Sequence, residues 1–192
     1  MYANKSIIAA LVLGTELVMA APKFAVCNMV ANPADEPISS IGGVLLFKQG
    51  ENEEEIRVFG SLFMDVADVE LDEGKFGEWR GMAVTENAFD GVDCDNNGEI
   101  YNPFEAEYLN LKSARFGSNG NACYRHKDDT QTTLWGENSV IGKSVSLYEE
   151  NVQEGWIQAC CNIEELSREQ YVEAMNQMWA DKQQRKEDAE GI

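Results

Sequence analysis

The sequence predicts an all-β domain, a sandwich or barrel of short strands joined by long loops, followed by one added C-terminal α-helix. Three observations predict it. Short runs rich in β-branched and aromatic residues, such as IRVFGSLFM at 56–64, recur between clusters of Asn, Asp, Gly and Pro. A long segment before Asp129 is crowded with Asn, Gly and Asp and reads as irregular loop. The end of the chain changes period, from strand-like runs to a helical face.

The chain opens with Lys5, an apolar stretch from Ile7 to Leu13 and small residues around Ala20, the pattern of a secretory signal peptide over 1–20. Glu16 interrupts the apolar run, which argues against a membrane span. Residues 21–163 then form the predicted β domain and 164–192 a helical extension. Lys23–Met29, Ile41–Lys48 and Ile56–Met64 are the first expected strands. Gln49–Glu55 is a glutamate-rich turn and Asp65–Gly77 an acidic loop. Gly81–Glu86, Thr132–Leu134, Val145–Tyr148 and Gly155–Ile163 complete the strands. In the extension, Ser167 caps a helix, Gln170 stands at the capping-box position, and Leu166 with Tyr171 has hydrophobic-staple spacing. Tyr171, Met175 and Met178 line one helical face with Trp179 beside them. That face is expected to lie on the chain's own sheet, or on a partner.

The formal charge is −19. Such a charge repels nucleic acid and anionic membranes, and it favours cations, basic partners, mineral surfaces or plain solubility. Five cysteines, at 27, 94, 123, 160 and 161, suit an oxidising compartment, and the odd count leaves at least one thiol unpaired or bridging two chains.

The stretch DGVDCDNNGEIYNPFE, residues 90–105, is the best candidate for a cation site. Asp93, Asp95 and Asn97 alternate, Gly98 follows, and Glu99 would offer its carbonyl, as in the first positions of an EF-hand loop. The pattern fails at its twelfth position, Phe104, with Glu105 one place late and Pro103 where a helix would leave. The stretch is therefore either an isolated calcium loop, completed by Glu105, Asp90 or Glu107, or an acidic turn held by a disulfide of Cys94.

Taken in order, KFAVCNM, IRVFGSLF, GMAVTENAF, DCDNNGEIYNPF, FGSNGN, LWGENSVIGKSVSLYEE and IQACCNI resemble the copper/zinc superoxide dismutases of the extracellular kind, over about residues 23 to 163. The resemblance implies a Greek-key β-barrel. It also implies metal ligands, and these are missing. The copper positions fall on Ala83, Thr85 and Tyr148, and the position shared by both metals on Ile100. The zinc positions fall on Arg115 and Ser118, with a further one around Tyr108–Leu111. The substrate-guiding arginine falls on Ile157, and the guide loop is cut to about Asn151–Glu154.

The chain has one histidine, His126, expected at the surface, whereas redox copper wants several nitrogen ligands. No copper or zinc, and no dismutation, is therefore expected. The family's disulfide falls on Cys94 and Cys160. Cys27 matches a buried strand position and is expected to act as a small hydrophobe. Cys123 and Cys161 are left for a second or an interchain bridge. These features imply a secreted, non-enzymatic acidic protein with a structural, matrix or body-fluid role, of the kind found among shell-matrix proteins, with calcium as a candidate ligand. The alternative is an interaction module that uses the helix or a free cysteine, as a homo-oligomer or with a dismutase-like partner.

Overall fold

The inward faces of the strands carry the apolar residues that build the core, and a computed structural model shows how they are arranged. It describes residues 21–34, 41–50, 55–64, 79–103, 105, 111–128, 132–149 and 156–190. The expected signal segment, the acidic loop at 65–77, the glutamates at 51–54, positions 108–110 and the shortened loop at 151–154 lie outside the described residues.

β1 (Lys23–Ala31), β2 (Gly42–Gln49) and β3 (Ile56–Phe63) form an antiparallel meander, with Cys27 opposite Leu45 and Leu45 opposite Gly60. The short strands β4 (Trp79–Arg80) and β6 (Ala114–Arg115) pair with each other as a separate ribbon. β5 (Met82–Thr85), β7 (Asn121–Asp128), β8 (Ser144–Tyr148) and β9 (Ile157–Asn162) join the meander in a large antiparallel sheet of order β5-β8-β9-β1-β2-β3-β7. β10 (Glu164–Leu166) adds to the start of β1, with Phe24 opposite Leu166. The sheet curls into a half-barrel around Leu45, Phe47, Val58, Leu62, Phe116 and Leu147, all fully buried.

Close packing at the centre uses a glycine. A Cβ at Gly60 would come 2.9 Å from the Val44 backbone oxygen as well as 2.5 Å from Leu45 Cδ2, and the backbone contact favours glycine there.

β1 and β2 are apolar on both faces. Ala25, Cys27 and Met29 face the core, whereas Phe24, Val26 and Leu46 face outward. A second hydrophobic layer must cover that outer side, and α1 (Arg168–Glu190) does so with Tyr171 and Met178, flanked by Ala174 and Met175. Tyr171 stacks on Phe24 at 4.6 Å between centroids. Each such buried side chain stabilises the docked helix by roughly 1.5–3 kcal/mol. The capping box is formed in both directions: Gln170 N donates to Ser167 Oγ (3.2 Å) and Ser167 N to Gln170 Oε1 (2.9 Å). Trp179, expected beside the packed face, is 50% exposed, because the buried rows run through positions 171, 174–175 and 178.

Three sequence expectations change. The long region before Asp129 contains β7, whose inward residues are Ala122, Tyr124 and His126. Residues 132–134 form a single bridge, Thr133 to Ser139, and not a strand, and they are held by the buried side chain of Gln49, which accepts from Leu134 N at 2.6 Å. His126 is buried, not at the surface, because the β3–β7 register sets it opposite Val58 on the inward face.

Candidate functional site

The outer faces of β5, β8 and β9 carry Ala83, Thr85, Ser144, Ser146, Tyr148 and Cys160, aligned by a register that pairs Ala83 with Ser146 and Ser146 with Cys160. An outer face with this many hydroxyls would ordinarily be wet. All six are buried here, because the segment from Glu86 to Pro103 lies over them.

Its backbone is fastened at several points. Glu86 N donates to Glu99 O (2.9 Å), Asn87 N to Asn97 O (2.8 Å) and Tyr101 N to Val84 O (2.9 Å). The Asn162 side chain makes both available bonds to the backbone of Phe89, at 2.6 and 2.9 Å. Asn32 Oδ1, reaching from the end of β1, accepts from Cys94 N at 3.1 Å. Cys94 then bonds covalently to Cys160, with the Cα atoms 5.9 Å apart.

Beneath this cover the hydroxyls satisfy one another. Thr85 Oγ1 and Ser144 Oγ lie 2.7 Å apart, Ser144 Oγ donates to Asn87 O at 2.6 Å, and Asn97 Nδ2 donates to Ser146 Oγ at 3.2 Å. Beside them Ala83 and Tyr148 form an apolar cluster with Ile100 and Ile157. Burial raises the Tyr148 phenol pKa above the ordinary tyrosine value; its Ser146 contact works against the shift and the charge of Asp95 adds to it. The site offers hydroxyls, one amide and a phenol. Among the described residues it presents neither imidazole nor carboxylate to its interior.

The cation reading of residues 90–105 meets a specific obstacle. Asn97, offered as the third ligand, is fully buried with its amide turned onto Ser146, so it faces away from the surface loop. The Glu99 carbonyl, offered as a backbone ligand, already accepts from Glu86 N. Asp93 Oδ1 accepts from Asp95 N at 2.9 Å and caps the short 3-10 turn Cys94–Asn97. Asp90 accepts from Val92 N and Asp93 N, which hold its carboxylate below the usual range, and from Asn96. Glu105 is exposed with a left-handed backbone, φ 51°. The acids thus fold the loop upon itself, and among the described residues no three His, Cys, Asp or Glu side chains gather where a metal ion would sit.

Of the positions aligned to missing ligands, Ala83, Thr85, Ile100 and Tyr148 come together with Ile157. Arg115 does not; it lies over the Trp79 ring at 5.5 Å in the β4–β6 ribbon. Ser118 sits in the turn that leads into β7.

The second disulfide joins Cys27 to Cys161, Cα atoms 5.3 Å apart. This corrects two expectations: Cys27 is not a lone hydrophobe, and Cys161 does not pair with Cys123. Adjacent strand residues point to opposite faces, so Cys160 turns out to the loop and Cys161 turns into the core, where β1 presents Cys27. Cys123 is exposed with a free thiol, because Tyr124 beside it takes the inward position. Sequence reasoning also missed Ser144, Ser146, Asn32 and Asn162, although the alternation in SVSLY was a usable signal.

Compared with models of protein families the chain matches none, and it has no significant match among curated proteins.

Proposed function

We propose that this chain is a secreted, non-catalytic relative of the copper/zinc dismutases that serves as an acidic, crosslinked structural or body-fluid protein. One observation carries the reading. The positions that the resemblance assigns to copper ligands and to the guiding arginine, Ala83, Ile100, Tyr148 and Ile157, form one apolar cluster. A lost metal site filled in this way would no longer admit an ion. The sheet order sets β5 beside β8 and β3 beside β7, neighbours far apart in sequence, which supports a Greek-key reading. Two disulfides support an oxidising compartment. No helix among the described residues is long and apolar enough to cross a membrane.

The test is metal content and superoxide turnover of the purified protein. The expected result is no copper or zinc retained through dialysis and a rate equal to free-metal background; stoichiometric copper, or turnover above that background, overturns the reading. A calorimetric calcium titration, repeated with Asp93→Ala, is expected to show no saturable heat that depends on Asp93.

A second reading, an interaction or oligomerisation module, is favoured by the exposed thiol of Cys123. Mass measured with and without reductant separates it: a disulfide dimer lost in Cys123→Ser supports this reading.

A further inference from the structure

The described lining of two hollows that flank β7 runs against the charge of the rest of the chain. Acids outnumber bases 34 to 15 overall. Two hollows meet on β7 at Cys123–Arg125. One, of about 270 Å³, lies against α1, and the other, of about 560 Å³, lies against β6. Among the described residues their charged lining is Arg125, Lys182, Lys112 and Arg115, with no carboxylate; Arg115 already has partners of its own, so docking depends on Arg125, Lys182 and Lys112.

Large aromatic residues mark the two ends. Trp179 is 50% and Trp79 57% exposed, an unusual solvent cost for indoles with so much apolar surface. The cations lie over rings: Lys182 at 4.9 Å from the Trp179 centroid, Arg115 at 5.5 Å from Trp79 and Arg125 at 5.8 Å from Phe59. The free thiol of Cys123 sits where the hollows join.

We propose that this trough docks an extended acidic polypeptide segment. Charge complementarity selects the sign of the partner. Screening limits the reach of the distant acids to about 8 Å at physiological ionic strength, so a short segment in the trough meets mainly its local cations. The geometry selects a polypeptide. β7 is the terminal strand of the large sheet, and the larger hollow runs between β7 and β6. A chain lying there shares the strand direction, and its side chains repeat on one face every two residues, about 6.6 Å apart. Alternate carboxylates would then face the trough and its cations, while the intervening side chains point away from it. A long polyanion would extend beyond the trough into the acidic remainder of the surface. The inference goes beyond the non-catalytic reading and does not depend on it.

Cys123 provides the readout. In the full chain with both disulfides intact, its alkylation by iodoacetamide is followed with three probes: a peptide alternating glutamate and valine, one alternating lysine and valine, and a heparin oligosaccharide. The acidic peptide is expected to slow alkylation several-fold, with protection lost at high salt, and the other two probes are expected to leave the rate unchanged. Arg125→Glu with Lys182→Glu should weaken protection by about tenfold or more, and so should Lys112→Glu tested separately. Arg168→Glu, at the exposed helix start, should leave it unchanged. Absence of protection by the acidic peptide, protection indifferent to the reversed charges in correctly folded variants, or equal protection by heparin overturns the proposal.

Discussion

Asn97 shows how one side chain can decide between two readings of a loop. Its place in the Asp-x-Asp-x-Asn pattern marks it as a ligand, yet its amide is fully buried on Ser146, and its Oδ1 is buried with no hydrogen-bond donor in reach. Asn97→Ala takes the buried donor away from Ser146 Oγ and leaves a void, a loss only partly offset by removal of the unpartnered Oδ1, and should lower stability by about 1–3 kcal/mol in urea titrations. A surface ligand would give almost no change without calcium. Tyr148 supports a pH prediction. Its phenol pKa is raised in the folded state, so the folded state holds that proton more tightly than the unfolded chain. The stability this contributes is complete below the ordinary tyrosine pKa of about 10 and is lost as pH rises through the folded value. Tyr148→Phe should flatten the alkaline fall in unfolding free energy. It should do so only in part, since burial also raises Tyr171 and Tyr101. Neither role was legible in the sequence, because hydrogen bonding between a loop and a strand outer face depends on a register that spacing alone does not reveal.

The helix tests its packing most directly at the scale of the element. Met178→Ala should destabilise the protein by about 2 kcal/mol or more in thermal unfolding, whereas Trp179→Ala, next in sequence but half exposed, should change it little. Ser167→Ala removes the cap and should cost about 1 kcal/mol. The cap was plain in the sequence because its signals are local, and β1, β2, β3, β5, β8 and β9 were plain because each is a compact apolar run. β7 was not. Its inward row is Ala122, Tyr124 and His126, and its outward row is polar or charged, so the alternation is real but weakly hydrophobic. The side of α1 that carries Trp179 could not be placed either, because a stripe containing both Met and Trp leaves the centre of the buried face open by about one residue.

At the scale of the whole molecule, the crosslinks and the charge oppose each other. By chain entropy, a loop of 66 residues such as Cys94–Cys160 is worth about 4 kcal/mol, so Cys94→Ser with Cys160→Ser should lower the urea midpoint by a corresponding amount. A net charge of −19 destabilises the compact state through self-repulsion, so added salt should raise the melting temperature, most clearly in that variant, which keeps only the Cys27–Cys161 bond. The Cys160–Cys161 dipeptide, one thiol turned outward and its neighbour inward, carries a further consequence for biosynthesis. During translation Cys27 and Cys94 emerge long before either of their native partners. Neither correct bond can close until the ninth strand leaves the ribosome. Cys27 and Cys94 therefore wait together with only each other and Cys123 to oxidise with, and maturation in the cell should depend on a disulfide isomerase to undo any early mispairing.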